Sequence, residues 1–338
     1  MRLLLLLAAI PFATAALAQD IHVRVDPNGP GSLDSTTDYK TIQNALDHAP
    51  DAPPNGRVII SIVPRVYHER IMVTRNRPRI TLLGLGKGPE DVVITASMNA
   101  KAAGGTFLSA TADIEGDGFE ADNVTFENAA GNTGQAVAIA VRSDRAIFKH
   151  CRFLGDQDTL FADFGRQYYV DSYITGGVDF IFGNATAVFD HDEIHIIRQG
   201  YLTAQSRTDP AQTTGYVITN SKVTSTIPQP QCVVNDECKM AYDFFLGRPW
   251  RRYSRVVVMN TELPQDLWPA GWSLWRASDL TPSAYYAEFH NTGTGADISH
   301  RVPWSHQLTA AEAGAYAPAT FLAGPDHWNP ITEAAQLP

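Results

Sequence analysis

Short runs of β-branched and aromatic residues, each closed by a turn, recur through the middle of the chain. They start at Asn123-Val124-Thr125-Phe126, Cys151-Arg152-Phe153, Ser172-Tyr173-Ile174, Asp192-Glu193-Ile194, Ser221-Lys222-Val223 and Thr261-Glu262-Leu263, at intervals of 28, 21, 20, 29 and 40 residues. A unit of about 20–25 residues with variable insertions is the pattern of a parallel β-helix, whose coils bury their apolar faces against one another. A β-sandwich would need hairpin turns every 8–12 residues or so. Asn-Gly and Asp-Gly dipeptides are few, among them Asn55-Gly56 and Asp117-Gly118, which counts against it. A doubly wound α/β fold would need long amphipathic helices between its strands. One good helix pattern is found, at 41–49, where Ile42, Ala45, Leu46 and Ala49 recur at helical spacing after the polar Asp38. At the N-terminal end of a solenoid that helix would cap the first rung. The pattern therefore predicts an all-β chain, a single-stranded parallel β-helix (solenoid) with an N-terminal capping helix. The longer intervals after Asp192 and Ser221 predict loop excursions that wall a groove. The Ala- and Pro-rich C-terminal part should pack as loops and short helices along the outside.

The first residues obey a different pattern. Met1-Arg2, an apolar run over 3–10 and Ala16-Leu17-Ala18 before Gln19 read as a secretory signal peptide over 1–18. The run is too short for a membrane anchor. We expect an exported protein, secreted or periplasmic, with one domain over 19–338. The formal net charge of −10 argues against nucleic acid and membrane surfaces as partners. It would also repel a polyanion unless the groove is locally neutral or basic. Of the three cysteines, Cys232 and Cys238 flank five residues in a polar, proline-rich stretch where export permits a disulfide. Cys151 lies on a strand pattern and reads as a buried thiol. The histidines show no metal-ligand spacing.

Two segments carry candidate chemistry. Gln157-Asp158-Thr159-Leu160 and Asp179-Phe180-Ile181-Phe182-Gly183 place two aspartates 21 residues apart. That is about one coil, so both carboxylates fall on neighbouring rungs, which stack at about 4.8 Å. Gln135-Ala136-Val137-Ala138-Ile139 begins 22 residues before Gln157 and extends the column. Two amides, two acids and a later arginine in one groove suggest acyl transfer or hydrolysis. Each residue also has a plainer reading. Asp158 and Asp179 suit surface turns, Gln135 and Gln157 suit a buried amide ladder, and Arg248 suits a surface ion pair. Phe161, Phe182, Tyr201 and Trp272 are candidate sugar platforms, with packing an equal reading for Tyr201 and Trp272.

These segments, together with Leu246-Gly247-Arg248-Pro249-Trp250, resemble the pectin methylesterases (pectinesterases) in order and spacing. Supporting stretches run from Asp38-Tyr39-Lys40-Thr41-Ile42-Gln43 to Arg301-Val302-Pro303-Trp304. The resemblance implies a right-handed parallel β-helix that hydrolyses methyl esters of galacturonate in pectin. It implies Asp179 as nucleophile, Asp158 as general acid and then base, and Gln157 as oxyanion stabiliser. Gln135 would add a second amide, Arg248 would hold the nucleophile and Trp250 would pack against the sugar. Phe182 and Phe161 would form subsites, and Thr106 matches a substrate contact more loosely. No metal and no cofactor are implied, and we expect a monomer whose partner is methyl-esterified pectin.

The chain departs from that family at three places. Arg65-Val66-Tyr67-His68-Glu69 carries arginine where a glycine is usual. Asp192 stands where many relatives have cysteine. The insertion at 224–242 should project beside the Arg248 rung and reshape the groove. A polygalacturonase also uses two carboxylates, but the amides and Arg248 favour ester hydrolysis. A lyase would need a calcium cluster of acids. An esterase or thioesterase acting on a substrate other than pectin, and a non-catalytic polysaccharide-binding solenoid, are the remaining readings.

Overall fold

From Asn123 onward the coils turn at a residue with left-handed backbone, and that residue recurs at one corner of the solenoid. Asn123, His150, Asp171, His191, Asn220, Asn260 and His290 all have φ between 48° and 61°. Asn, Asp and His are the side chains that tolerate this region best after glycine. In a computed structural model, which describes residues 19–29, 37–226, 244–276 and 283–337, the strands on either side of that corner stack into parallel columns. One sheet has twelve strands, from Asp38–Tyr39 and Ile21–Val25 at one end to His306–Gln307 at the other. Two further columns are joined because Tyr173–Gly183 and Glu193–Gln205 run through the bend and pair in both. The repeated segments read from the sequence fall in one register column, Thr125↔Arg152↔Tyr173↔Glu193↔Lys222↔Glu262. This is the predicted right-handed parallel β-helix.

Inside the coil, like residues stack on like. Phe126 lies on Phe153 at 5.8 Å, Phe148 on Tyr169 at 4.9 Å and Tyr169 on Phe189 at 4.7 Å. A second column is polar and buried. The Cys151 N–H donates to Ser172 Oγ, Ser172 N–H to Asp192 Oδ1 and Asp192 N–H to Ser221 Oγ. Asp192 therefore serves as a rung of this ladder, and burial pushes its carboxyl well above the ordinary range. Cys151 is a free, buried thiol, as expected.

The predicted helix spans Ile42–His48, with Thr41 as N-cap and Ile42, Ala45 and Leu46 buried. Its first two N–H groups donate to the Glu69 carboxylate, at 3.1 and 3.0 Å. That gives Glu69 a structural task, while Arg65 points to solvent on the strand Arg65–Tyr67. The short helices Ala310–Ala313, Pro318–Phe321 and Pro330–Ala334 cover the outer face of the long sheet, where Ala313, Leu322 and Trp328 pack with Tyr168, Val188 and Val217. Arg166 ties this segment down through Asp144 and Asp326. The predicted signal peptide and Cys232 and Cys238, with most of the 224–242 insertion, lie outside the described residues.

Phe148 contacts Phe119, Phe126, Phe153 and Tyr169 at once. Phe148→Ala should cost about 3–5 kcal/mol in equilibrium unfolding. A loss below about 1 kcal/mol would show that the stacked rings do not carry the core.

Candidate active site

Register explains how distant residues meet. Gln135↔Gln157↔Val178↔Tyr201↔Phe245 is one column, and Ala140↔Phe161↔Phe182↔Ala204 is another. Asp158 follows Gln157 and Asp179 follows Val178, so the two acids sit side by side on adjacent rungs, as their spacing predicted. Both have left-handed backbone, at φ 64° and 50°. That turns each carboxyl out of the strand and into a cavity of about 290 Å³. Gly183 closes the second motif at φ 120°, where a Cβ would meet the Ala162 carbonyl oxygen.

Gln135, Gln157, Asp158, Asp179, Arg248, Trp250, Phe182 and Thr106 all line this cavity. Gln135 is exposed and Gln157 half-buried, so a buried amide ladder does not describe them. Phe161 differs from expectation. It packs between Phe107 at 4.7 Å and Phe182 at 4.6 Å and, unlike the equally buried Phe182, does not line the cavity. Trp272 is core, 1% exposed and against Tyr286. Three lining residues escaped the sequence reading, Phe107, Ala204 and Trp275. Phe107 adjoins Thr106 on an excursion that carries the helix Ala100–Ala103 and forms one wall. Trp275 lies in a bend three residues past Trp272, and its aromatic spacing was the only available signal.

The electrostatics separate the two acids. Arg248 Nε donates to Asp179 Oδ1 at 2.9 Å and Nη2 to Oδ2 at 2.7 Å, a bidentate pair of the strongest kind. Burial raises the Asp179 pKa, and these two bonds oppose it. Asp158 is pushed up to about 8, first by burial and then by the neighbouring Asp179 charge, with only distant relief from Arg248. Burial raises both acids, and the direct bonds from Arg248 to Asp179 place the pair's shared proton preferentially on Asp158. Such a site offers an oriented carboxylate, a proton donor and two amides. Among the described residues no group of three or more His, Cys, Asp or Glu side chains is placed to hold a metal ion.

Fold and site together define a solenoid ester hydrolase. The pectinesterase family model matches residues 31–325. A pectinesterase of Daucus carota is 39% identical over 310 residues, covering 89% of this chain and 94% of its own. The solved pectin methylesterase from carrot superposes with a TM-score of 0.81 at 36% identity, over 94% of this chain and 97% of its own. A pectin methylesterase solved with a hexasaccharide gives a TM-score of 0.73 at 27% identity, over 95% and 100% of the two chains. The chain belongs to the pectinesterase family and is a carboxylic ester hydrolase.

A buried acid with a raised pKa has a stability signature. Asp158 binds its proton more tightly folded than unfolded, so it favours the unfolded chain once pH exceeds about 4. Asp158→Asn should therefore raise stability at pH 7, by up to about 4 kcal/mol, with the gain fading toward pH 4. Thermal melts at both pH values read this, and an equal or negative change at pH 7 would contradict the raised pKa.

Proposed function

We propose that the protein hydrolyses methyl esters of galacturonate in pectin through a covalent intermediate on Asp179. The observation that carries this reading is the bidentate Arg248–Asp179 pair beside Asp158, a buried acid whose pKa is pushed up to about 8. Asp179 attacks the ester carbonyl carbon, and the oxyanion that forms accepts hydrogen bonds from the Gln157 amide, with Gln135 alongside. The tetrahedral centre collapses, Asp158 gives its proton to the departing methoxy oxygen, and methanol leaves an anhydride between Asp179 and the uronate. Asp158, now a carboxylate, takes a proton from water as that water attacks the anhydride. Collapse frees the uronic acid and returns Asp179 to Arg248. Trp250 and Phe182 supply apolar faces for the sugar, and the Thr106 hydroxyl borders the same space.

Residues 1–18 would direct export, which brings the enzyme to pectin outside the producing cell. Among the described residues no helix is long and apolar enough to cross a membrane.

Methanol release from methylated pectin tests the reaction. The parent protein should release methanol, and folded Asp179→Ala should lose on the order of 10⁴-fold or more in kcat. Gln157→Ala should lose about 10²–10³-fold, the usual cost of one oxyanion donor. Comparable turnover by Asp179→Ala would remove it as nucleophile. Because Asp158 must carry a proton to expel methanol, kcat/KM should fall as pH rises through about 8. A basic limb unchanged in Asp158→Asn would remove Asp158 as the acid.

A further inference from the structure

We propose that Tyr201 and Trp275 are positioning residues that hold the Arg248 guanidinium on Asp179. The inference rests on the reading of Asp179 as nucleophile and Arg248 as its partner. Its basis is a problem of reach. Asp179 belongs to the strand Tyr173–Gly183, while Arg248 follows the strand Phe244–Gly247, two rungs further on. At the usual rung spacing that is about 9.6 Å along the solenoid. The arginine must cross the intervening strand, Glu193–Gln205, to reach its partner. A long side chain crossing open space would spend much of its time in other rotamers.

The crossed rung solves this with two residues. Ala204 pairs with Phe182 and lies one residue past the Thr203↔Gly247 pair, so the side chain the arginine passes is a small one. Tyr201, on the same strand, offers its ring, with its centroid 3.8 Å from Arg248 Cζ. Trp275 supplies a second ring at 4.2 Å. Both lie well inside the range of cation–π attraction, which grows as the pair is desolvated. Tyr201 holds the cation twice, through its ring and through a side-chain hydrogen bond to its hydroxyl, while Nε and Nη2 remain on Asp179.

Tyr201 is itself held. Its ring stacks on Phe245 at 5.6 Å and 13°, and Phe245 stacks on Trp268 at 5.6 Å and 6°. With Phe245 stacked on it and the guanidinium over it, the ring is already occupied, which argues against a sugar platform. Trp275 in turn meets Trp250 at 6.3 Å, so the support of Arg248 continues into the cavity wall.

The test is a double-mutant cycle on methylated pectin. Tyr201→Leu and Trp275→Leu should each lower kcat about 10-fold with KM changed less than about twofold. Tyr201→Phe keeps the ring but not the hydroxyl's hydrogen bond to Arg248, so it should restore part of the loss. In an Arg248→Ala background, Tyr201→Leu should cost nothing more, because it acts through the arginine. A raised KM with unchanged kcat would mark a sugar contact and overturn the proposal. An undiminished loss in the Arg248→Ala background would overturn it as well. Full kcat in Arg248→Ala alone would instead refute the role of Arg248 itself. Should Tyr201→Leu not fold, Trp275→Leu, in a bend outside the strands, carries the same cycle.

Discussion

The two hydrogen bonds from Arg248 to Asp179 run along the stacking axis of the solenoid, and that direction constrains everything around them. Strands in a parallel coil present side chains to solvent or to the core, while neighbours along the axis are fixed by register. A bidentate contact between rungs therefore needs a long side chain, a small one beneath it and rings to steer it. Arg248, Ala204, Tyr201 and Trp275 supply those parts. A single-residue slip in the pairing of Thr203 with Gly247 would aim the arginine into the core. The stacked aromatic core, by fixing register, thus fixes the ion pair.

Burial acts on both acids, and the arginine separates them. Without it, two adjacent carboxyls in a closed cavity would both climb toward protonation. Arg248 spends two aligned donors on Asp179, which opposes the rise that burial imposes there and leaves Asp158 as the favoured carrier of the proton. Burial alone does not make a catalytic group. Glu120 is pushed up to about 7, chiefly by burial with smaller contributions from Glu333 and Asp20, and pairs with Arg57 at 2.8 Å. The distinguishing feature of Asp158 is a charged acid neighbour on the adjacent rung together with access to the amides.

The repeating strand runs made much of this fold legible in advance. The spacing of the runs that start at Asn123, Cys151, Ser172 and Asp192 announced the coil, while the left-handed corner at Asn123, His150, Asp171 and His191 emerged only from the structure. The spacing of Asp158 and Asp179 announced their adjacency by the same logic. The apolar stripe of Ile42, Ala45, Leu46 and Ala49 announced the cap helix, while its N-cap is Thr41 rather than the Asp38 that the pattern offered as its polar start. Phe161 was harder, because period alone cannot say whether an outward-facing ring stays on the surface once an excursion covers it. Phe107 belongs to that excursion, and its meeting with Phe161 depends on tertiary packing. Trp275 reaches Arg248 from a bend whose path no local pattern records. The task of Glu69 as a helix cap was likewise hidden, since its donors lie 27 and 26 residues away.

The claim at the centre of this account is that, near neutrality, Asp158 holds the proton and Asp179 does not. Infrared difference spectroscopy of the carboxyl C=O stretch at pH 7 reads that state directly, using the parent minus Asp158→Asn and the parent minus Asp179→Asn. The account predicts a protonated-carboxyl band that is missing from Asp158→Asn and kept in Asp179→Asn. A protonated band that instead vanishes with Asp179, or no such band from either residue, would contradict it.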